Sequence, residues 1–144
     1  MAITTNAICN SFKKELLEAK HDFTATTGSV FKLAMYTSAA TLGKSTTSFT
    51  TGGEVSSPAG YTSGGKALVN TGTSVASSVA ITSFSNLSFT NVTLTARGAL
   101  IYNTSNSNTG VAVLDFGSDK TATAGTFTIQ FPAFTTSAAI LRIS

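Results

Sequence analysis

The first hydrophobic pattern along the chain has a period near four and lies close to the amino terminus. In NAICNSFKKELLEAK, residues 6–20, Ile8, Phe12 and Leu16 recur every four positions, and Cys9 and Ala19 widen the stripe. Apolar residues three and four positions apart share one face of an α-helix. The pattern therefore predicts a helix over residues 6–20, about four turns long.

This helix needs a cap and a cover. The side-chain oxygen of Thr5 or Asn6 is placed to accept an unpaired backbone N–H of the first turn. The apolar stripe must pack against the domain's own sheet or against a neighbouring subunit. Both alternatives remain open at the level of sequence.

After His21 the period falls from near four to two, which is the period of a β-strand. In SVFKLAMYT, residues 29–37, the set Phe31, Leu33 and Met35 is the more apolar and is expected to face the core. Residues 38–66 form a long excursion that turn residues interrupt repeatedly. The interrupting residues are Gly43, Gly52, Gly53, Pro58, Gly60, Gly64 and Gly65. Within and after this excursion we predict a short strand near Glu54, one over residues 66–70 and one over residues 74–83.

The second half of the chain alternates most regularly. Predicted strands are LSFTNVTLTA (87–96), with a change of phase near Asn91, GALIYN (98–103), GVAVLDF (110–116), TFTIQF (126–131) and SAAILRIS (137–144). NTSNSNT, residues 103–109, reads as a hairpin loop. We therefore expect one domain over residues 1–144: all-β, an antiparallel β-sandwich or barrel-like fold, with one N-terminal α-helix and a β domain over residues 29–144.

Composition adds that the polar faces carry hydroxyls more often than charges. The 144 residues include 26 Thr and 19 Ser against 15 charged residues, and none is charged from Ala67 to Ala96. The net charge of +3 comes from scattered basic residues, so the basic stripe typical of a nucleic-acid-binding protein is missing. Hydroxyls interrupt the uncharged middle of the chain too often for a membrane span, and a secretory leader is not legible. We therefore expect neither nucleic acid nor membrane as a partner.

Candidate chemistry begins with Asp115-Phe116-Gly117, the tripeptide with which protein kinases hold magnesium. The chain lacks the glycine-rich loop and the HRD catalytic loop that kinases require. We therefore interpret Asp115 as the end of a strand and Gly117 as a turn residue with positive φ, followed by Asp119 in the same turn.

Other reaction classes also lack parts. The one histidine, His21, is predicted at a helix end, and one histidine with one cysteine is too few for a zinc site. Asp115 and Asp119 do not follow the calcium-binding EF-hand pattern, and no acid pair is evident for a glycosidase. We predict no enzyme activity, no cofactor and no metal, and a buried, inert thiol at Cys9.

Four residues are candidates for contacts with another chain: Phe12, Leu16, Tyr61 and Arg97. Phe12 and Leu16 lie on the apolar stripe of the predicted helix, and Tyr61 lies in the loop over residues 43–65. Arg97 interrupts an uncharged region, where it either marks a strand edge or pairs with a carboxylate across a subunit interface. Tyr36, Tyr61 and Tyr102 would be the residues that stack on sugars if the protein bound glycans.

Four blocks of the chain resemble one class of proteins. NAICNSFKKELLEAKHDF, FKLAMYTSAATL, TARGALIYN and AVLDFGSDKTATAGTFTIQFP are similar to small virion structural proteins of tailed bacteriophages. The resemblance covers nearly the whole chain except residues 44–83, and the last two blocks are its most specific part.

The resemblance implies a non-enzymatic protein on the phage particle, made in the bacterial cytoplasm. The first expectation is a capsid decoration, or cement, protein that forms a homo-oligomer such as a trimer and binds the major capsid protein or other virion proteins. The alternative is a neck, tail or fibre component, including an adhesin that binds host glycans.

Overall fold

The computed structural model describes residues 3–56 and 60–144; the predicted loop breaker Pro58 lies outside them. The described residues form two antiparallel sheets and one N-terminal α-helix, so the predicted fold class is confirmed. The elements are β1 (Ala7–Ile8), α1 (Asn10–Leu17), β2 (Phe31–Tyr36), β3 (Lys66–Ala67), β4 (Asn70–Ala76), β5 (Val79–Phe84), β6 (Leu87–Asn103), β7 (Thr109–Ile129) and β8 (Leu141–Ile143).

The larger sheet has five strands in the order β1-β7-β6-β2-β3, and the smaller has three in the order β4-β5-β8. Strand β2 is covered on both faces, because Phe31, Leu33, Ala34, Met35 and Tyr36 are all fully buried. The predicted core set of this strand is therefore confirmed, but its other face also lies inside the protein.

The helix is shorter than predicted. It begins at Asn10, with Cys9 as the N-cap residue and no side-chain cap hydrogen bond, so the predicted cap at Thr5 or Asn6 is wrong. Ala7 and Ile8 instead pair with β7 as the edge strand β1. The backbone N–H and C=O groups of this segment find hydrogen-bond partners in the sheet, so the segment forms a strand in place of a further helical turn.

The most regular block folds as two long strands, where the sequence predicts four shorter ones. β6 and β7 pair antiparallel from Leu87 with Ile129 to Asn103 with Thr109, so GVAVLDF and TFTIQF belong to one strand. The prediction that Asp115 ends a strand is wrong for the same reason. Glycine and asparagine occupy positions at or beside the bulges of these two strands. Asn91, at the predicted change of phase, has φ +50.

Two turns in the remaining segments follow local chemistry. The predicted hairpin loop over residues 103–109 is confirmed: it joins β6 to β7 and contains a 3₁₀ turn, Thr104–Asn106. The single strand predicted over residues 74–83 is wrong, since the chain reverses at Ser77 and Ser78, both with positive φ, between β4 and β5. Of the predicted strand over residues 137–144, only β8 forms.

The long excursion folds back onto the larger sheet. Near Glu54 the predicted strand is reduced to one bridge with Tyr36, and the strand predicted over residues 66–70 is reduced to β3. Several apolar residues of this region are buried in the core: Ala40, Leu42, Val55, Tyr61 and Leu68. The excursion therefore covers the sheet, where the sequence suggests a contact loop for other chains or a solvated loop.

Candidate functional site

The helix residues predicted for an interface have different environments. Phe12 is 3% exposed and packs against the rings of His21 and Phe23, with centroids 4.8 and 6.0 Å away. It is a core residue, because its own chain already covers its apolar surface. Leu16 is half-buried and lines a groove of about 760 Å³ between α1 and the smaller sheet. Leu17, which lies outside the predicted apolar stripe, is 91% exposed.

Tyr61 lies inside the protein, so its predicted roles in an interface or a sugar site are wrong. The Tyr61 hydroxyl donates a hydrogen bond to Glu54 Oε1 at 2.8 Å and accepts one from the backbone N–H of Met35 at 3.0 Å. Burial raises the pKa of this phenol above its usual range. Tyr36 and Tyr102 are buried as well, which removes all three predicted sugar-stacking rings from the surface.

Arg97 finds its carboxylate within its own chain. Its Nε donates to Asp115 Oδ1 at 3.1 Å, so the predicted pairing across a subunit interface is not what this structure shows. The same oxygen accepts the backbone N–H of Gly117 at 2.8 Å, and the Asp115 N–H donates to Asn6 Oδ1 at 2.6 Å. The Gly117 N–H, with a further contribution from Arg97, lowers the pKa of Asp115.

The kinase-like tripeptide is thus a bulge in β7. Gly117 has φ +80, as predicted, and residues 116–119 have no partners opposite, because Gly98 pairs with Asp115 and Ala96 pairs with Lys120. Asp115 holds the backbone of this bulge through local hydrogen bonds, which is the turn chemistry expected of aspartate before glycine.

A chain of polar groups lies beneath the helix. Glu15 Oε2 is 2.7 Å from His21 Nε2, and Asn103 Nδ2 is 3.0 Å from His21 Nδ1. Because Asn103 Oδ1 accepts the N–H of Ser105 at 2.9 Å, its amide nitrogen faces the ring and donates to Nδ1. The other ring nitrogen then carries its hydrogen toward Glu15.

This arrangement fixes His21 between two partners and uses both ring nitrogens. The neighbouring Cys9 is buried, and its burial, followed by the charge of Glu15, raises the thiol pKa to about 11. A thiol with that pKa stays protonated and unreactive at neutral pH. In residues 3–56 and 60–144 no three His, Cys, Asp or Glu side chains converge as metal ligands would.

The most regular exposed surface belongs to the far half of the β6–β7 hairpin. We call residues 87–96 and 120–129 the distal ribbon. Its inward side chains, including Phe89, Val92 and Phe127, are buried. Its outward face carries eight hydroxyl side chains: Ser88, Thr90, Thr93 and Thr95 on β6, and Thr121, Thr123, Thr126 and Thr128 on β7.

Some of these hydroxyls are paired across the strands. The hydroxyl oxygens of Ser88 and Thr128 lie 2.9 Å apart, as do those of Thr95 and Thr121, so these four hydroxyls are hydrogen-bonded to one another in pairs. The sequence signal was visible as threonine at alternate positions in LSFTNVTLTA and TATAGTFTI. It could not be recognised as one face because the phase changes in both strands, at Asn91 and at residues 124–125.

The two edges of the distal ribbon differ. On β6, Lys66 Nζ donates to the carbonyl of Ser88 at 2.7 Å, and Gly60 lies so close that an added Cβ would be 2.7 Å from the Asn91 carbonyl oxygen. On β7, a groove of about 1030 Å³ runs along the strand, with Phe127 and Ile129 among its lining. The excursion therefore covers one edge, while the other borders an open groove.

No protein-family profile, curated protein sequence or solved structure matches this chain. The resemblance to phage virion proteins accordingly stays a prediction. Within the described residues, every helix is too short or too polar to cross a lipid bilayer.

Proposed function

We propose that this chain is a structural protein of a tailed-bacteriophage particle and decorates the capsid surface. The observation that supports this best is the distal ribbon, whose outward face carries eight hydroxyls. The sequence blocks that resemble phage virion proteins include most of this ribbon.

An uncharged hydroxyl face is suited to binding another protein surface over a wide range of salt. Hydroxyls both donate and accept hydrogen bonds, and threonine adds a methyl group that buries apolar area. No residue of the ribbon except Lys120 is charged, so salt, which screens the interaction between charges, should have little effect on the contacts that this face makes.

Decoration would stabilise the shell by mass action. A subunit that binds the assembled lattice but not the free capsid protein shifts the equilibrium toward the lattice. Repetition over many symmetry-related positions, and linkage of subunits in a homo-oligomer, turns weak single contacts into strong attachment. The partners in this proposal are further copies of the chain and the major capsid protein, and the location is the virion.

An add-back experiment tests the proposal. Particles assembled without this protein are incubated with the purified chain, sedimented, and heated while DNA release is followed. We expect the chain to sediment with the particles and to raise the temperature of DNA release. Replacing Thr90 and Thr95 by lysine changes the hydroxyl face and is expected to weaken binding, whereas Leu17→Lys on α1 serves as a control that leaves binding unchanged.

Two results would contradict the proposal. One is a chain that stays in the supernatant at concentrations that saturate other decoration proteins. The other is binding confined to isolated tails or host cells, which would support the neck, tail or fibre alternative.

A further inference from the structure

The outer edge of β7 has a strand partner at one end only. β1 pairs with Ala112 and Val113, and the side chain of Asn6 accepts the N–H of Asp115. Past Asp115, no strand of the described residues pairs with this edge, although β7 continues to Ile129. The backbone N–H and C=O groups on that side of the distal ribbon are therefore left to water or to another chain.

The open edge lacks most of the devices that usually prevent edge-to-edge pairing. Natural sheets protect such edges with charges, proline, a covering loop or a bulge, and of these the proposed contact segment has only the irregularity at Ala124 and Gly125. From Thr121 to Leu141 the chain has no charged residue, and the only proline of this stretch, Pro132, lies beyond the end of β7. The β6 edge of the same ribbon, in contrast, is covered by Lys66 and by the loop at Gly60. One edge is closed and the other is left available.

A third strand would also stabilise the ribbon itself. A sheet of two strands is marginal, and three or more strands with an apolar face are much more stable. The inward face here is apolar, and the groove of about 1030 Å³ beside β7 is lined along the strand by residues from Lys120 to Ile129.

The strand is complementary to itself. The threonines of its outward face occupy positions 121 and 123 before the irregularity at Ala124 and Gly125, and positions 126 and 128 after it. In an antiparallel pair centred between residues 124 and 125, Thr121 faces Thr128 and Thr123 faces Thr126, all on the outward side. On the inward side, the small Ala122 faces the large Phe127.

The charges in this register do not conflict. Lys120 would face Ile129 of the second copy, and the two lysines would lie about 30 Å apart along the strand, beyond the Debye length at physiological salt. The hydroxyl pairs across the new contact repeat those already present within the ribbon, between Thr95 and Thr121 and between Ser88 and Thr128.

We propose that two copies of this chain pair antiparallel through residues 121–128 of β7, giving a four-stranded sheet with a doubled hydroxyl face. This contact is a property of the purified chain and does not depend on the proposed place on a phage particle.

Cysteine pairing between two different variants tests the register. Thr121→Cys and Thr128→Cys proteins are oxidised separately and as a mixture, and disulfide-linked dimers are measured on non-reducing gels. The mixture is expected to form dimers, while each variant alone forms few, because identical positions would lie about 23 Å apart along the strands. The native Cys9 is buried and does not compete.

A second measurement does not depend on disulfide geometry. Light scattering after size exclusion is expected to give a dimer for the natural chain and a monomer for T123K/T126K, in which four ammonium groups would meet. The matched variant T90K/T95K places the same charges on the same face but on β6, and is expected to remain dimeric. Circular dichroism checks that both variants are folded.

The proposal is overturned if the natural chain is monomeric at tens of micromolar, if the cysteine mixture links no better than the single variants, or if both lysine variants remain dimers. A monomeric chain would remove the homo-oligomer from the proposed function but not the binding to the capsid, which the add-back experiment tests separately. Failure of the add-back experiment with a dimeric chain would reject the proposed capsid role alone.

Discussion

Replacing Tyr61 by phenylalanine tests whether this residue organises the interior. The substitution keeps the ring, which lies 5.6 Å from that of Phe89, and removes only the hydroxyl. Two hydrogen bonds are lost, one from the buried N–H of Met35 and one to the carboxylate of Glu54. Glu54 keeps its hydrogen bonds from Ser63 and Gly64, which partly compensate for the lost hydrogen bond from Tyr61.

The magnitude follows from the partners left behind. A buried N–H without an acceptor costs about 1–3 kcal/mol, and a hydrogen bond to a charged group is worth about 1.5–3 kcal/mol. With Glu54 partly compensated, we expect Tyr61→Phe to lower the free energy of unfolding by about 3 kcal/mol. Tyr102→Phe is the matched control, because it removes one neutral bond, to the Gly64 carbonyl at 2.6 Å, and should cost about 1 kcal/mol.

Urea unfolding followed by far-ultraviolet circular dichroism measures both variants at equal protein concentration. The dependence of the free energy on urea should be unchanged, so that the midpoints report stability. The predicted difference of about 2 kcal/mol corresponds to a factor of about 30 in the unfolding equilibrium constant. A Tyr61→Phe cost equal to or smaller than that of Tyr102→Phe would refute the reasoning.

Three further predictions use matched variants. In urea unfolding, Phe12→Ala should destabilise the purified chain by about 3–5 kcal/mol, and Leu17→Ala, at an exposed position, by less than about 0.5 kcal/mol. A Phe12→Ala effect as small as that of Leu17→Ala would argue against a core role for Phe12. Gly60→Ala should lower the free energy of unfolding by about 2–4 kcal/mol, because Gly60 has φ +86 and an added Cβ would press on the Asn91 carbonyl. Gly43→Ala is the control, since its Cβ would meet nothing within 4 Å, and equal melting temperatures of the two variants would contradict the prediction. Because burial raises the pKa of Cys9 to about 11, the unfolded chain loses the thiol proton at a lower pH than the folded chain does. The free energy of unfolding should therefore be constant below pH 9 and fall by about 2–3 kcal/mol between pH 9 and pH 11. Cys9→Ala should show a shallower fall, and identical pH profiles for the two proteins would contradict this prediction.

The sequence predicted the fold class because hydrophobic periodicity reports burial directly. The period near four located α1, and the alternation in FKLAMY located β2 with its buried set Phe31, Leu33 and Met35. The boundaries near the amino terminus failed because pairing of Ala7 and Ile8 with β7 is a long-range contact that no local pattern reveals.

The length of β6 and β7 was missed for a different reason. Glycine and asparagine usually mark turns, but a bulge gives them the same positive φ inside a continuous strand. Gly117 and Asn91 both have that conformation, and the sequence alone does not distinguish the two uses.

The predicted contact residues failed where burial depends on the loop fold. Nothing local to Tyr61 indicates that its hydroxyl completes the edge of β2 through Met35 N–H and joins Glu54. Arg97 stands out in the sequence as an isolated charge, but its partner Asp115 lies 18 positions away, beside a bulge that no local pattern indicates. The hydroxyl face is not evident from the sequence because it depends on the register of the two strands.

We propose that this chain works by covering a phage shell in many copies. Quantitative mass spectrometry of purified particles, from a phage whose genome carries this sequence, measures the copy number against the major capsid protein. The account predicts on the order of hundreds of copies per particle, as repeated capsid symmetry requires. A copy number of about a dozen or fewer, the value expected at a single symmetry axis, or absence from the particle, would contradict it.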